Sequence, residues 1–420
     1  MAAKSDTQAL KFPDGFIWGA ATSSHQVEGG NHNNWTEWEK GRGHIKDGAK
    51  SGLVADHWNR YREDFAYLSD MHLNGYRFSI EWSRVEPREG EWDEAALDRY
   101  ADMLRELKRR KVTPMVTLHH FTDPVWLAEH GGWASGGTVD YFLRYVEKVV
   151  ERLGPDVQMW CTINEPNIET GLNYLLGWWP PGQKNPWAYL RSRYIFVQAH
   201  KRAYALIHNL YKQRGWGEVQ VSFANHLVYV EPRDRNNPLD RIVAWGYRFV
   251  SNQYFLGRTM KTCDFLGINY YFYHRLYFKL GGAMVLFDEE LLRDVPVSDL
   301  GWQIAPEGLY QICKFLKRLN KPVYITENGL SDAKDMVRPW ALVRHAEVLQ
   351  RAIAEGVDVR GYFYWSLIDT FEWENGYKAR YGLVAVDFAS LKRRPRPSCK
   401  VYADIAEHNA VSRELLERYA

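Results

Sequence analysis

Two short runs decide how this chain is read: Thr162-Ile163-Asn164-Glu165-Pro166 and Tyr324-Ile325-Thr326-Glu327-Asn328-Gly329. In each, residues suited to a pleated, buried strand end on an Asn/Glu pair and then on a residue that favours a turn. Working outward, similar apolar runs cover 158–163 and 323–326 and recur at 16–22, 76–80, 113–118, 219–224, 265–269 and 361–365. None alternates polar with apolar as a half-exposed strand does. All eight read as strands buried on both faces, as in a parallel sheet.

Helical spacing fills the intervals. Val139, Phe142, Leu143, Val146, Val149, Val150 and Leu153 recur at i, i+3, i+4 and i+7, and Leu97, Tyr100, Leu104 and Leu107 do the same one unit earlier. The basic run at 108–111 then falls where cations offset a helix dipole, at the C-terminal end. Eight β-then-α units without a break in composition predict an α/β fold, a single-domain (β/α)8 TIM barrel over 12–409. Residues 1–11 read as an N-terminal extension and 410–420 as a C-terminal tail. An open doubly wound sheet is the alternative, but Gly19-Ala20-Ala21-Thr22 after the first run is not a G-x-G-x-x-G phosphate loop. The connection from Tyr270 to about Pro306 is long and weakly patterned, which marks it as a functional loop.

Composition excludes several classes. Charge is balanced, 54 basic against 52 acidic residues, so nothing calls for a nucleic-acid partner or an anionic membrane. No apolar stretch is long enough to span a bilayer, and the first fifteen residues lack a signal-peptide core. Four cysteines without a C-x-x-C pair read as reduced thiols of a cytoplasmic protein, not as a disulfide or zinc framework. The sequon at Asn34 reads as chance. Eighteen Trp and 26 Tyr are the outlier. Many lie in loops marked by Gly and Pro, where aromatic faces can pack on the C–H faces of sugars or simply fill a core.

Catalytic groups of such a barrel stand at the C-terminal ends of its strands. Taken in order, the eight runs lead to Gln26 and Glu28, Arg77, His119-His120, Asn164-Glu165, Asn225, Asn269-Tyr270-Tyr271, Glu327-Asn328, and Asp369, Glu372 and Trp373. One such residue is more readily a structural hydrogen bond; a polar residue on every strand end points to a site. Glu165 and Glu327, on strands four and seven, form the pair that acetal hydrolysis needs: an acid for the leaving oxygen and a carboxylate for the oxocarbenium-like carbon. A metal is not expected, because His25 stands alone without the H-x-H that opens metal-dependent barrel hydrolases, and no cofactor is implied.

These segments together resemble glycoside hydrolase family 1, the β-glucosidase and β-galactosidase family. The resemblance runs from Phe12-Pro13-Asp14-Gly15-Phe16 to about Tyr402. It is carried by the stretch 19–29, Tyr76-Arg77-Phe78-Ser79-Ile80, Thr117-Leu118-His119-His120-Phe121, the two Glu-bearing runs, the stretch 265–271, Tyr364-Trp365-Ser366-Leu367 and Phe371-Glu372-Trp373, all in order. It implies a retaining double displacement with Glu327 as nucleophile and Glu165 as acid and then base. Arg77 and Tyr271 would support Glu327, and Asn164 would take the sugar 2-hydroxyl. Gln26, His120, Asn164, Trp365, Glu372 and Trp373 would form the glycon pocket around a small carbohydrate, and Asn225, Trp302, Trp178 and Trp179 the aglycone side.

Relatives acting on 6-phosphorylated sugars place a small hydroxyl residue where Glu372 stands. A carboxylate there would repel phosphate, so the expected substrate is an unphosphorylated terminal β-D-glucoside, galactoside or fucoside. Plant thioglucosidases of similar sequence carry Gln in place of Glu165. Two departures stand out: Phe121 replaces a common Trp, and the connection from Asn225 to Asp264 is short, which bears on the aglycone side. A catalytically weak or transglycosylating sugar-binding relative is the competing expectation.

Overall fold

The structure is a computed structural model that describes residues 9–279, 287–293 and 295–420. Eight parallel strands close into a barrel: β1 (Ile17–Ala21), β2 (Gly75–Ser79), β3 (Thr113–His119), β4 (Met159–Asn164), β5 (Gln220–His226), β6 (Leu266–Asn269), β7 (Val323–Asn328) and β8 (Val359–Trp365). Each pairs with its sequence neighbours, and β8 returns to β1 with Gly361 opposite Ile17 and Trp365 opposite Ala21. Every run read from the sequence is one of these strands. Their burial on both faces has a direct cause, since helices cover the outside and side chains fill the inside.

The inside is packed by Met115, Met159, Phe265, Tyr324 and Phe363 among small residues such as Ala21 and Ala224. Gly19 and Gly75 are small for a reason: a Cβ on Gly19 would come within 2.6 Å of the Phe363 ring, and one on Gly75 within 2.4 Å of Ile17. The outside is a larger core between strands and helices. Helices Glu94–Arg109 and Thr138–Leu153 bury the predicted stripes, with Leu143 alone of the seven left half-buried. Lys108 and Arg109 do lie in the last turn of the first of these.

Two segments add to the barrel. The connection from Tyr270 onward contains strands Tyr273–Phe278 and Phe287–Glu289, which form a three-stranded sheet with Tyr229–Pro232. Helix Pro238–Arg248 packs on that sheet through Val243, Ala244 and Tyr247. So the short Asn225–Asp264 connection carries a strand and two α-helices, the second being Tyr254–Thr259, with a π turn at Phe249–Gln253 between them and a 3-10 turn at Met260–Thr262. Leu10–Lys11 pairs antiparallel with Ala410–Val411, which ties the described part of the extension to the tail. Among the described residues no helix is long and apolar enough to cross a membrane.

Candidate active site

The strand register breaks where the two glutamates stand. Pairing shifts between Cys161 and Asn164 on β4, and between Ile325 and the residues at 327–328 on β7. Such irregularities bend a strand end and re-aim its side chains. Glu165 itself sits at φ 40° and ψ 55°, left-handed backbone that is costly for a residue with a Cβ and more so before Pro166. Strain of this kind persists where the surroundings over-determine it. Here the Glu165 amide is held by the Ala224 carbonyl at 2.8 Å, and Pro166 opens helix Pro166–Thr170. On β7 the closing Gly329 has no room for a side chain, because a Cβ would lie 1.9 Å from the Trp365 carbonyl oxygen.

The two carboxyls are held differently. Arg77 pairs with Glu327 through Nη1, and Tyr271 donates to Glu327 Oε2 at 2.9 Å. Arg77 also donates from Nη2 to Asn164 Oδ1 at 2.6 Å and from Nε to Thr117 at 3.1 Å, so its plane is fixed on three sides. Among the described residues no cation pairs with Glu165; its Oε1 accepts 2.7 Å from the Asn269 amide. Asn269 is set by Thr326, which donates to its Oδ1 at 2.6 Å, and also reaches Asn164 at 3.1 Å. Burial pushes both carboxyls above the ordinary range. For Glu165 the charge of Glu327 adds to burial and drives it well above. For Glu327 the Arg77 guanidinium and the Tyr271 hydroxyl oppose burial. The arrangement therefore favours a protonated Glu165 beside an ionised Glu327.

Around this pair lies a cavity of about 510 Å³. Its inner end is lined by Gln26, His120, Trp365, Glu372 and Trp373, all expected from the sequence. Gln26 donates to Glu372 Oε2 at 3.0 Å, and Ser23 orients Gln26 by donating to its Oε1 at 2.8 Å. His120 lies parallel to Trp365 and Trp373, with ring centroids 5.8 and 6.2 Å away. Burial, then the Arg77 charge, keep His120 neutral, so it shares a 3.2 Å contact with the Asn164 amide, while its Nδ1 has no hydrogen-bond partner among the described residues.

Of the residues assigned to the aglycone side, Trp178 and Trp302 line the outer half of the cavity. Trp179 packs instead on Phe121 and Trp373, centroids 5.0 and 5.6 Å away, and donates to Glu374 at 2.7 Å, which places it with the inner end. Asn225 does not line the cavity; it is buried beneath, its amide 3.5 Å from the Asn252 carbonyl. Asn269 reads from the sequence as a strand-end residue without a role, and Glu374 is not singled out. Asn269 does end β6 on that rim, whereas Glu374 gives no signal beyond following Trp373.

Among the described residues one group of His, Asp and Glu lies close enough to hold an ion: His119, Asp123 and Glu169. Yet His119 faces Asp123 with Nε2 at 3.1 Å and Glu169 with Nδ1 at 3.6 Å. An ion takes one ring nitrogen, whereas these carboxyls sit against both, so the geometry is that of an imidazole clamped between two acids.

The chain matches the model of glycosyl hydrolase family 1 over residues 8–262 and 258–411. It is 32% identical to β-glucosidase A of Thermotoga maritima over 96% of this chain and 99% of that one. A 6-phospho-β-galactosidase of Staphylococcus epidermidis is also 32% identical, over 96% and 99% of the two chains. The solved β-glycosidase of Pyrococcus horikoshii superposes with a TM-score of 0.89 at 34% identity, covering 98% of each chain. With the whole barrel and both glutamate-bearing strands inside the matched region, this chain belongs to glycosyl hydrolase family 1 and is a β-glycosidase.

Proposed function

We propose that the protein is a retaining exo-β-glycosidase that removes an unphosphorylated β-D-glucosyl unit from the non-reducing end, with galactosides and fucosides as further substrates. The observation that carries this reading is the asymmetry of the carboxyl pair. Glu327, charge-balanced by Arg77 and hydrogen-bonded by Tyr271, is poised to attack the anomeric carbon. Glu165, buried and paired with no cation among the described residues, is poised to protonate the leaving oxygen. Once Glu327 is esterified its charge is gone, the proton affinity of Glu165 falls, and Glu165 can take a proton from the incoming water. Two inversions at one carbon give net retention.

The preference for an unphosphorylated sugar rests on a different footing from the one the sequence suggested. Burial, with the Glu374 charge beside it, pushes Glu372 up to about 8, so it is largely protonated near neutrality and its own charge is a weak barrier to phosphate. What disfavours phosphate is the missing counter-charge: no Lys or Arg is among the described residues lining the cavity, and Glu374 does line it. Protonated Glu372 and Gln26 together offer both a donor and an acceptor, which suits adjacent sugar hydroxyls. The four buried, unpaired thiols accord with a reducing, cytoplasmic setting.

The deciding experiment follows an aryl β-glucoside by proton NMR. First-formed β-glucose, with loss of turnover in Glu327→Ala by at least about 10³-fold, is expected. First-formed α-glucose, or an unimpaired Glu327→Ala enzyme, overturns the mechanism. Faster turnover of the 6-phosphorylated glucoside overturns the substrate.

A further inference from the structure

The outer rim of the cavity continues into an exposed apolar surface that the catalytic reading does not use. Helix Pro238–Arg248 buries one side and presents Leu239, Ile242 and Trp245, followed by Phe249 and Val250, at exposures from 43% to 63%. Trp245 and Phe249 stack at 5.8 Å. Beside it, the first three turns of helix Pro186–Arg214 present Trp187, Leu190 and Tyr194, with Trp187 79% exposed. The two helices are joined: Arg193 donates 2.9 Å to the Val250 carbonyl and its guanidinium lies 3.7 Å over Tyr254. Trp178 and Val250 belong both to this surface and to the cavity wall, so the patch runs directly into the catalytic mouth. Soluble monomers rarely leave so much aromatic and aliphatic surface together without a partner.

Charge says which partner fits. The segment 184–194 exposes Lys184 and Arg191 and carries no acidic residue, Arg193 being buried against Tyr254. On the other helix Asp240 is buried, while Arg241 is exposed and lines a groove beside Ile242 and Trp245 with Arg248 and with Arg235, the last paired with the buried Glu231 at 3.3 Å. Two copies meeting through this face about a twofold axis would oppose cations to cations. An anionic lipid surface satisfies both features, because arginines flanking a row of Trp, Ile, Leu and Phe suit the headgroup boundary. We propose that this face docks the enzyme on an anionic lipid surface, with its catalytic mouth against the headgroup layer. The balanced net charge gave no hint of this, because the cations matter through their placement. Lying on a surface also needs no spanning helix.

The test uses the full chain floated with vesicles of phosphatidylcholine alone, or of phosphatidylcholine mixed equally with phosphatidylglycerol. The protein is expected to float with the mixed vesicles, and the fraction bound to fall about tenfold with phosphatidylcholine alone. Ile242→Glu/Trp245→Glu and, separately, Trp187→Gln/Leu190→Gln are expected to lose binding about tenfold while hydrolysing a soluble aryl β-glucoside within about twofold of the parent. That soluble assay keeps this proposal separate from the catalytic one and confirms that the variants fold. Absence of flotation with either vesicle, or a dimer that these substitutions dissociate without changing flotation, overturns it.

Discussion

Asn269 donates a 2.7 Å hydrogen bond to Glu165 from the end of the neighbouring but one strand, and is itself aimed by Thr326, the residue before Glu327. The acid is thus positioned by the strand that carries the other carboxylate. Its hydrogen bond favours the ionised form of Glu165, against burial and the Glu327 charge, which raise it. Asn269→Ala should therefore move the basic limb of the kcat/KM pH profile upward, while lowering its maximum about tenfold through loss of positioning. An unchanged basic limb would exclude the link.

Arg77 tests the other carboxyl. In Arg77→Met the buried Glu327 loses the guanidinium that opposes burial, so its proton affinity rises. The acidic limb of kcat/KM should shift to higher pH, with at least about a hundredfold loss at the optimum. Arg77→Lys should recover part of the activity but not the tie to Asn164 and Thr117, since an ammonium cannot reproduce the planar fork.

Removing the acid should sort substrates by leaving group. In Glu165→Gln, dinitrophenyl β-glucoside needs no proton for departure and should keep its first step within about tenfold. An alkyl β-glucoside should lose about 10³-fold or more. Pre-steady-state release of the phenol measures the first step directly. Equal losses on both substrates would remove Glu165 from the role of acid.

Buried acids also set a pH dependence of stability. Glu372 and Glu169 are both pushed up to about 8 by burial, far above their value in an unfolded chain. Between those values the folded state holds protons the unfolded state has released. Stability should then be greatest below about pH 4.5, as far as these groups are concerned, and decline as pH rises to about 8. Glu372→Gln should flatten that decline, seen as a smaller drop in Tm between mildly acidic and mildly alkaline buffer.

The strands and most of the rim were legible because a barrel imposes a simple code: a short apolar run, then a polar residue at its C-terminal end. That code put Gln26, Arg77, His120, Glu165, Glu327, Glu372 and Trp373 on one rim, while Trp365 and the roles of these residues came from the family resemblance. It failed where position depends on how loops fold back. Trp178 and Trp179 are adjacent in sequence, yet one stands exposed at the mouth and the other packs on Trp373, a difference made by the turn around them. Asn225 ends its strand like the others but lies under Asn252, which arrives from a connection whose path sequence spacing does not specify. The charge state of Glu372 was equally hidden, since it depends on burial and on Glu374 nearby.

The seam between β1 and β8 has a consequence for how the molecule comes into being. Ile17 must wait for Gly361, so the ring closes only after almost the whole barrel sequence has left the ribosome. Until then β1 and the growing end of the sheet are open edges, each offering unpaired backbone to other chains. Glu372 and Trp373 follow β8, so the cavity lining is completed last. A nascent or truncated chain can carry Glu165 and Glu327, with Gln26 and His120, and still lack Trp365, Glu372 and Trp373 from the cavity lining.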